Sequence, residues 1–184
     1  MNHPAIAADT GWPRPDTPHR YGTLSRWLHW GMAACFAFMF LTVLVHRFAE
    51  KSAADALLIP WHKPVGALLM LLVVLRTVWA LLQARRRPAH LNAAARWGHR
   101  ALYLLMLAIP AIALLRQYGS GRAFAPFGLP LMAPRENDKI DWMVELGGLL
   151  HGELGWALLA LAAGHVAMAV WHRRGGQDVL PRMV

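Results

Sequence analysis

The sequence predicts an all-α membrane protein, a four-transmembrane-helix bundle with both termini cytoplasmic. Three observations predict it. Of 184 residues, 57% are hydrophobic and 16% charged, where soluble domains carry about 25% charged residues. Four apolar stretches reach the roughly 20 residues that a bilayer crossing requires. The charge is also sorted by loop. The N-terminal segment, the second connection with the end of span two, and the C-terminus hold Arg14, Arg20, Arg26, Arg76, Arg85, Arg86, Arg87, Arg96, Arg100, Arg173, Arg174 and Arg182 against Asp9, Asp16 and Asp178. The other two connections hold Arg47, Lys51, Lys63, Arg116, Arg122, Arg135 and Lys139, balanced by seven acids. The whole excess of +9 lies on one side, and excess Lys and Arg mark the cytoplasmic face. The basic character reports topology, and no nucleic-acid partner follows from it.

Each element has its own warrant. Pro4, Pro13, Pro15, Pro18, Asp9 and Asp16 interrupt residues 1–22 where a signal peptide needs a continuous apolar core. This stretch is expected to be a flexible cytoplasmic tail. Residues 23–184 form the four-helix domain, with spans at about 24–45, 62–82, 97–115 and 144–171. All are helices, because lipid offers backbone groups no partner outside a helix or closed barrel. Pro110 is expected to kink the third span. The Gly, Pro and aromatic residues of 116–143 predict an ordered outer loop against the helices. Cys35 is the single cysteine, which excludes an intrachain disulfide and a Cys-x-x-Cys-His haem attachment.

Ionisable side chains at membrane depth are expensive and point to function. Spans one and three rise outward; two and four descend. His29 then lies near the inner end of span one, His62 at the outer end of span two, His151 in the outer part of span four, and His165 more than halfway down it. The fourteen residues between His151 and His165 place them within roughly 40° of one helix face and about 21 Å apart. Depth pairs His62 with His151 outside and His29 with His165 inside. Bis-histidine ligation of two haems needs this arrangement, one axial nitrogen from either face of each macrocycle. Four residues after these histidines stand Ala33, Gly66, Gly155 and Ala169, small enough for a flat ring, and Gly147 stands four before His151. His46 and His99 are followed at that spacing by Glu50 and Tyr103, which do not fit. His172, at the inner boundary, suits a propionate, proton or quinone contact. The plainer reading makes membrane histidines interhelical hydrogen-bonding groups; depth pairing across three helices favours ligation. His46 and His90 read as interface or loop residues. The tryptophans near span ends read as an aromatic belt, and the nine methionines as packing residues.

These residues resemble the bacterial cytochrome b561 family from about Tyr21 to Met183. The marks are Tyr21, Arg26, His29 and Trp30 in a Tyr-x-x-x-x-Arg-x-x-His-Trp opening, and His62 with Gly66. Next come Gly98-His99 with Tyr103, Ile109-Pro110, the outer Phe124-Ala125-Pro126-Phe127-Gly128-Leu129, His151 and His165, His172, and Leu180-x-Arg182-Met183. The resemblance implies two non-covalent haems b in a bacterial inner membrane, with His29 and His165 on the inner haem and His62 and His151 on the outer. It passes over His46, which depth alone leaves open. The resemblance further implies an activity: close relatives look like superoxide oxidases, which take an electron from periplasmic superoxide and reduce ubiquinone, while other members pass electrons between quinone and different partners. Arg173-Arg174-Gly175-Gly176 follows His172 where relatives carry a second histidine and aromatic residues, which changes the inner quinone pocket.

The expected activity is therefore superoxide:ubiquinone oxidoreductase, or electron carriage alone. Lys63 and Arg135, with Arg116, Arg122 and Lys139, are candidates for drawing in a small anion; against this, the seven outer acids make them ordinary loop cations. Arg26, His99, Arg100 and His172 are candidates for propionate or quinone contacts, and a boundary histidine titrates in a useful range. A second reading is a cytochrome b anchor for a soluble dehydrogenase or hydrogenase, with a redox protein as partner; the short loops count against it. A third, a divalent-metal transporter, lacks membrane carboxylates beyond Glu145 and Glu153.

Overall fold

A computed structural model describes residues 14–135 and 138–184. Its long elements are α1 (Thr23–Phe48), α3 (His62–Leu82), α4 (Ala93–Gly119) and α5 (Asp141–Arg174), with a short α2 (Ala53–Leu58) in the first outer connection. The four long helices, α3 together with the run leading into it, are long and apolar enough to cross a membrane. α1, α4 and α5 outrun the expected spans by about a turn, while α3 keeps its expected bounds. Asn92 accepts from the Ala95 N–H at 2.8 Å to start α4. Ser52 accepts from Asp55 N–H at 3.1 Å to start α2, an element the apolar pattern did not predict. α4 runs unbroken through Pro110, the expected kink site.

Packing divides the bundle unevenly. α1 lies along α3, α3 against α4, and α4 along α5. Met32, Leu69 and Val73 form the buried core, with Phe36, Met39 and Met106 packed on it. That core belongs to α1, α3 and α4. α5 has few backbone neighbours on α1 or α3, and along its 34 residues only Gly147 and Leu158 are buried. The space between α5 and the α1–α3 pair is where the histidines meet. Large apolar residues such as Leu81, Leu104, Leu149 and Val166 are exposed on the outside of the bundle, where lipid surrounds a membrane protein.

The inner end carries a polar cap, and it corrects the expected flexible tail. Residues 1–13 lie outside the described residues. Residues 14–22 are anchored: Asp16 is 2% exposed and accepts from Gly22 N–H at 2.7 Å, Ser25 Oγ at 2.9 Å and Arg87 Nε at 3.0 Å. A side chain at Gly22 would strike the Arg14 and Pro15 backbone, so glycine permits this return. The C-terminal turn joins the cap. Tyr21 N–H donates to the Arg182 carbonyl at 3.0 Å, Trp30 Nε1 to the Met183 carbonyl at 2.9 Å, and Arg182 Nη1 to the Ala89 carbonyl at 3.2 Å. Prolines suggested freedom; a buried carboxylate with three donors removes it.

The outer loop is ordered as expected over its described residues, which exclude Glu136 and Asn137. Phe124 is buried and bridges to Met132, and Pro126 is buried in a short 3-10 turn.

Candidate functional site

Two pairs of imidazoles face one another at two levels. The His62 and His151 rings lie 6.3 Å apart, centre to centre, with an angle of 84° between their planes. The His29 and His165 rings lie 6.4 Å apart at 74°. These are the pairs that depth assigned. A metal held in line by two imidazoles, with bonds of about 2 Å and ring radii of about 1.2 Å, sets the centres roughly 6.4 Å apart. Among the described residues no three His, Cys, Asp or Glu side chains gather into a metal cluster. Two imidazoles at this separation suit a metal whose remaining ligands come from a macrocycle.

The outer pair has its tautomers fixed. The Thr42 hydroxyl donates to the Met39 carbonyl at 2.7 Å. It therefore accepts from His62 Nδ1, 2.9 Å away. His151 Nδ1 donates to the Ile109 carbonyl at 3.2 Å, an acceptor only. Each Nδ1 thus carries the proton and each Nε2 keeps a lone pair, the usual state of a metal-ligating histidine oriented by a carbonyl or hydroxyl. Thr42 is fully buried and was not singled out from the sequence; its signal was a lone hydroxyl within an apolar span.

A cavity of about 620 Å³ opens around this pair, lined by His62, His151, Gly66, Gly152 and Gly155 together with apolar residues of α1, α3, α4 and α5. Cofactor sites commonly have volumes of about 300–1,000 Å³. A side chain built at Gly155 meets nothing within 4 Å, and one at Gly66 meets only the Met39 methyl at 3.3 Å. Both glycines leave room for a flat ring, as their spacing suggested. Gly147 does not belong with them: a Cβ there would strike Arg116, so Gly147 lets α5 approach α4.

Cations gather at the cavity's outer mouth. Lys63, Arg116, Arg122 and Lys139 line it. Lys63 Nζ donates to Gln117 Oε1 at 3.1 Å, and Gln117 in turn donates to the Arg122 and Ala123 carbonyls at 3.1 and 3.2 Å. Lys139 pairs with Asp141 at 2.7 Å, whose hydrogen bond holds the ammonium above the usual lysine range. Arg135 is placed elsewhere. Its guanidinium pairs with Asp138 at 2.9 Å, donates to the Tyr118 carbonyl and lies 4.0 Å from the centre of the Tyr118 ring. Of the five expected outer cations, Arg135 is the one that does not line this cavity.

At the inner pair the predicted contacts separate. The His99 ring lies 5.2 Å from that of His165, and its Nδ1 donates to the Ala95 carbonyl at 2.6 Å. His90 stands 5.3 Å from His99; burial, then the neighbouring His99 and arginine charges, hold its imidazole below the usual histidine range. The Arg26 Nε is buried without a hydrogen-bond partner among the described residues, an orphan donor that an acidic group would satisfy. Arg100 turns away: it is exposed, with its guanidinium 4.7 Å from the Trp97 ring centre. His172 is partly buried in the last turn of α5. A buried arginine, Arg76, stands between α1, α3 and α4; the sequence reading counted it only toward topology.

Comparison with known proteins agrees with this arrangement. The family described as prokaryotic cytochrome b561 matches residues 20–184. Cytochrome b561 homolog 2 of Escherichia coli (strain K12) is 31% identical over 180 residues, covering 92% of this chain and 93% of that one.

Proposed function

The chain belongs to the prokaryotic cytochrome b561 family of membrane electron-transfer proteins, and on that premise we propose that it carries two haems b and passes electrons across the inner membrane from periplasmic superoxide to ubiquinone. The observation that carries this reading is the pair of facing imidazoles repeated at two depths, with separations of 6.3 and 6.4 Å. Haem, when bound, supplies one-electron chemistry at a potential set by its ligands, burial and hydrogen bonds. The chain's residues do the rest. His62 and His151 hold the outer haem, with Thr42 and the Ile109 carbonyl orienting them; His29 and His165 hold the inner one.

Lys63, Arg116 and Arg122 give the mouth of the outer cavity a positive field that raises encounter with a small anion and weakens in salt. Superoxide gives up one electron and leaves as dioxygen. At the inner side, two electrons and two protons convert ubiquinone to ubiquinol. Arg26 and His99 would meet a propionate or a quinone oxygen, a role supported by the orphan Arg26 Nε and the closeness of His99 to His165, and His172 would relay protons from the cytoplasm.

A reduced-minus-oxidised absorbance spectrum of the purified protein, with haem and protein quantified, tests the cofactor. Two haems b per chain are expected; a ratio near one removes one pair, and no b-type signal removes the reading. Superoxide and a soluble ubiquinone analogue, added together, should then be consumed at two superoxide ions per quinone. Reduction only when a soluble dehydrogenase or hydrogenase is added would turn the protein into an anchor subunit.

A further inference from the structure

The inner site contains a charge that ligation does not explain. Arg76 belongs to α3, within a membrane-spanning segment, and is 8% exposed. Its Nη1 donates to the Ser25 carbonyl at 3.1 Å, its Nε to the Tyr103 hydroxyl at 3.0 Å, and its guanidinium carbon lies 5.9 Å from the Tyr103 ring centre. Every one of these partners is neutral. Among the described residues no carboxylate pairs with it: the buried acid of the inner cap, Asp16, is bound to Arg87 at 3.0 Å. A buried charge without its opposite is costly anywhere and more so at membrane depth. A neutral amide would serve as well to tie a carbonyl to a hydroxyl, so the charge itself calls for a use.

Its position supplies one. Ser25 lies one turn before His29 on α1, and Tyr103 one turn after His99 on α4, whose ring adjoins His165. The guanidinium is thereby tied to α1 one turn from His29 and to α4 one turn from His99, the neighbour of His165.

We propose that Arg76 tunes the inner haem, its fixed positive charge raising the reduction potential there so that electrons collect on the cytoplasmic side. The inference rests on the assignment of a haem to His29 and His165. An electron arriving at a ferric site lowers the local positive charge, so a fixed cation nearby favours the reduced form. Low dielectric keeps that interaction strong. Among the described residues the outer pair has no such buried cation: its arginines and lysines stand exposed at the mouth, screened by water and salt. The asymmetry makes outward-to-inward transfer the downhill direction.

Potentiometric titration of the purified holoprotein tests this in wild type, Arg76→Gln and Arg76→Lys. Arg76→Gln is expected to lower one of two midpoints by at least about 59 mV, a tenfold change in a one-electron equilibrium, and to leave the other in place. Arg76→Lys should stay near wild type. Unchanged midpoints in Arg76→Gln, an equal fall in Arg76→Lys, or loss of the inner haem from Arg76→Gln would each overturn the proposal. Tyr103→Glu, which sets a carboxylate against Arg76 without removing it, is the independent arm and should lower the same midpoint; if it does not, the charge is not what matters. A wild-type protein without a bis-imidazole haem spectrum would instead remove the haem assignment, before any variant is made.

Discussion

At the scale of single residues, Gly155 gives the most discriminating test of the outer cavity. A side chain there meets no protein atom within 4 Å, so Gly155→Leu should fold and insert. If a flat ring occupies that space, the variant should hold about one haem per chain in place of two, and a ratio unchanged from wild type would show that the ring lies elsewhere. The outer cations allow a second comparison. Lys63 lines the cavity, whereas Arg135 is occupied by Asp138 and Tyr118. Lys63→Gln should therefore slow superoxide consumption about 3- to 10-fold and flatten its salt dependence, with Arg135→Gln within about twofold of wild type; stopped-flow decay of superoxide reads both, and the reverse order would reject steering at this mouth. The two facing histidine pairs were legible because imidazoles stand out in apolar stretches and topology gives each a depth. Thr42 and the Ile109 carbonyl were not, since their roles depend on helix register, which one sequence does not contain. Arg76 was visible as a charge within a span, but counting charges for topology absorbed it.

At the scale of elements, α5 has the smallest buried share of the long helices, with two buried residues along its length, and it leans on α4, with few backbone neighbours on α1 or α3. Segments with few buried contacts open at low free energy. Hydrogen exchange of haem-free protein in detergent should therefore show the middle of α5, near Gly155, exchanging faster than the middle of α3, and haem binding should slow it at least tenfold by holding ligands that α5 contributes to both pairs. Equal protection of α5 with and without haem would mean that α4 alone secures it. The sequence made α5 plain as an apolar stretch. It left the role of Gly147 ambiguous, because ring contact and close helix approach both require a small residue; the Arg116 side chain across the gap settles it for packing.

At the scale of the molecule, the inner cap binds the segment before α1, the α3–α4 connection and the C-terminal turn through Asp16, Arg87 and Arg182. Removing one partner of a buried ion pair costs about 3–5 kcal/mol. Since Arg87 retains 17% side-chain exposure, Asp16→Asn is expected at or just below the lower end, seen as a fall in the thermal midpoint of the detergent-solubilised protein; an unchanged midpoint would show that the cap does not stabilise the fold. The four-helix plan was legible because apolar length is a property of the chain itself, while the cap joins residues far apart in sequence. The sharing of α5 between both pairs also has a consequence for biogenesis. As a nascent chain leaves the ribosome, His29 and His62 enter the bilayer without their partners, and Tyr21 waits for Arg182. If the two pairs hold haem, neither site is complete until the last span is inserted, so cofactor loading would follow insertion of α5, and a chain stalled before α5 would be haem-free.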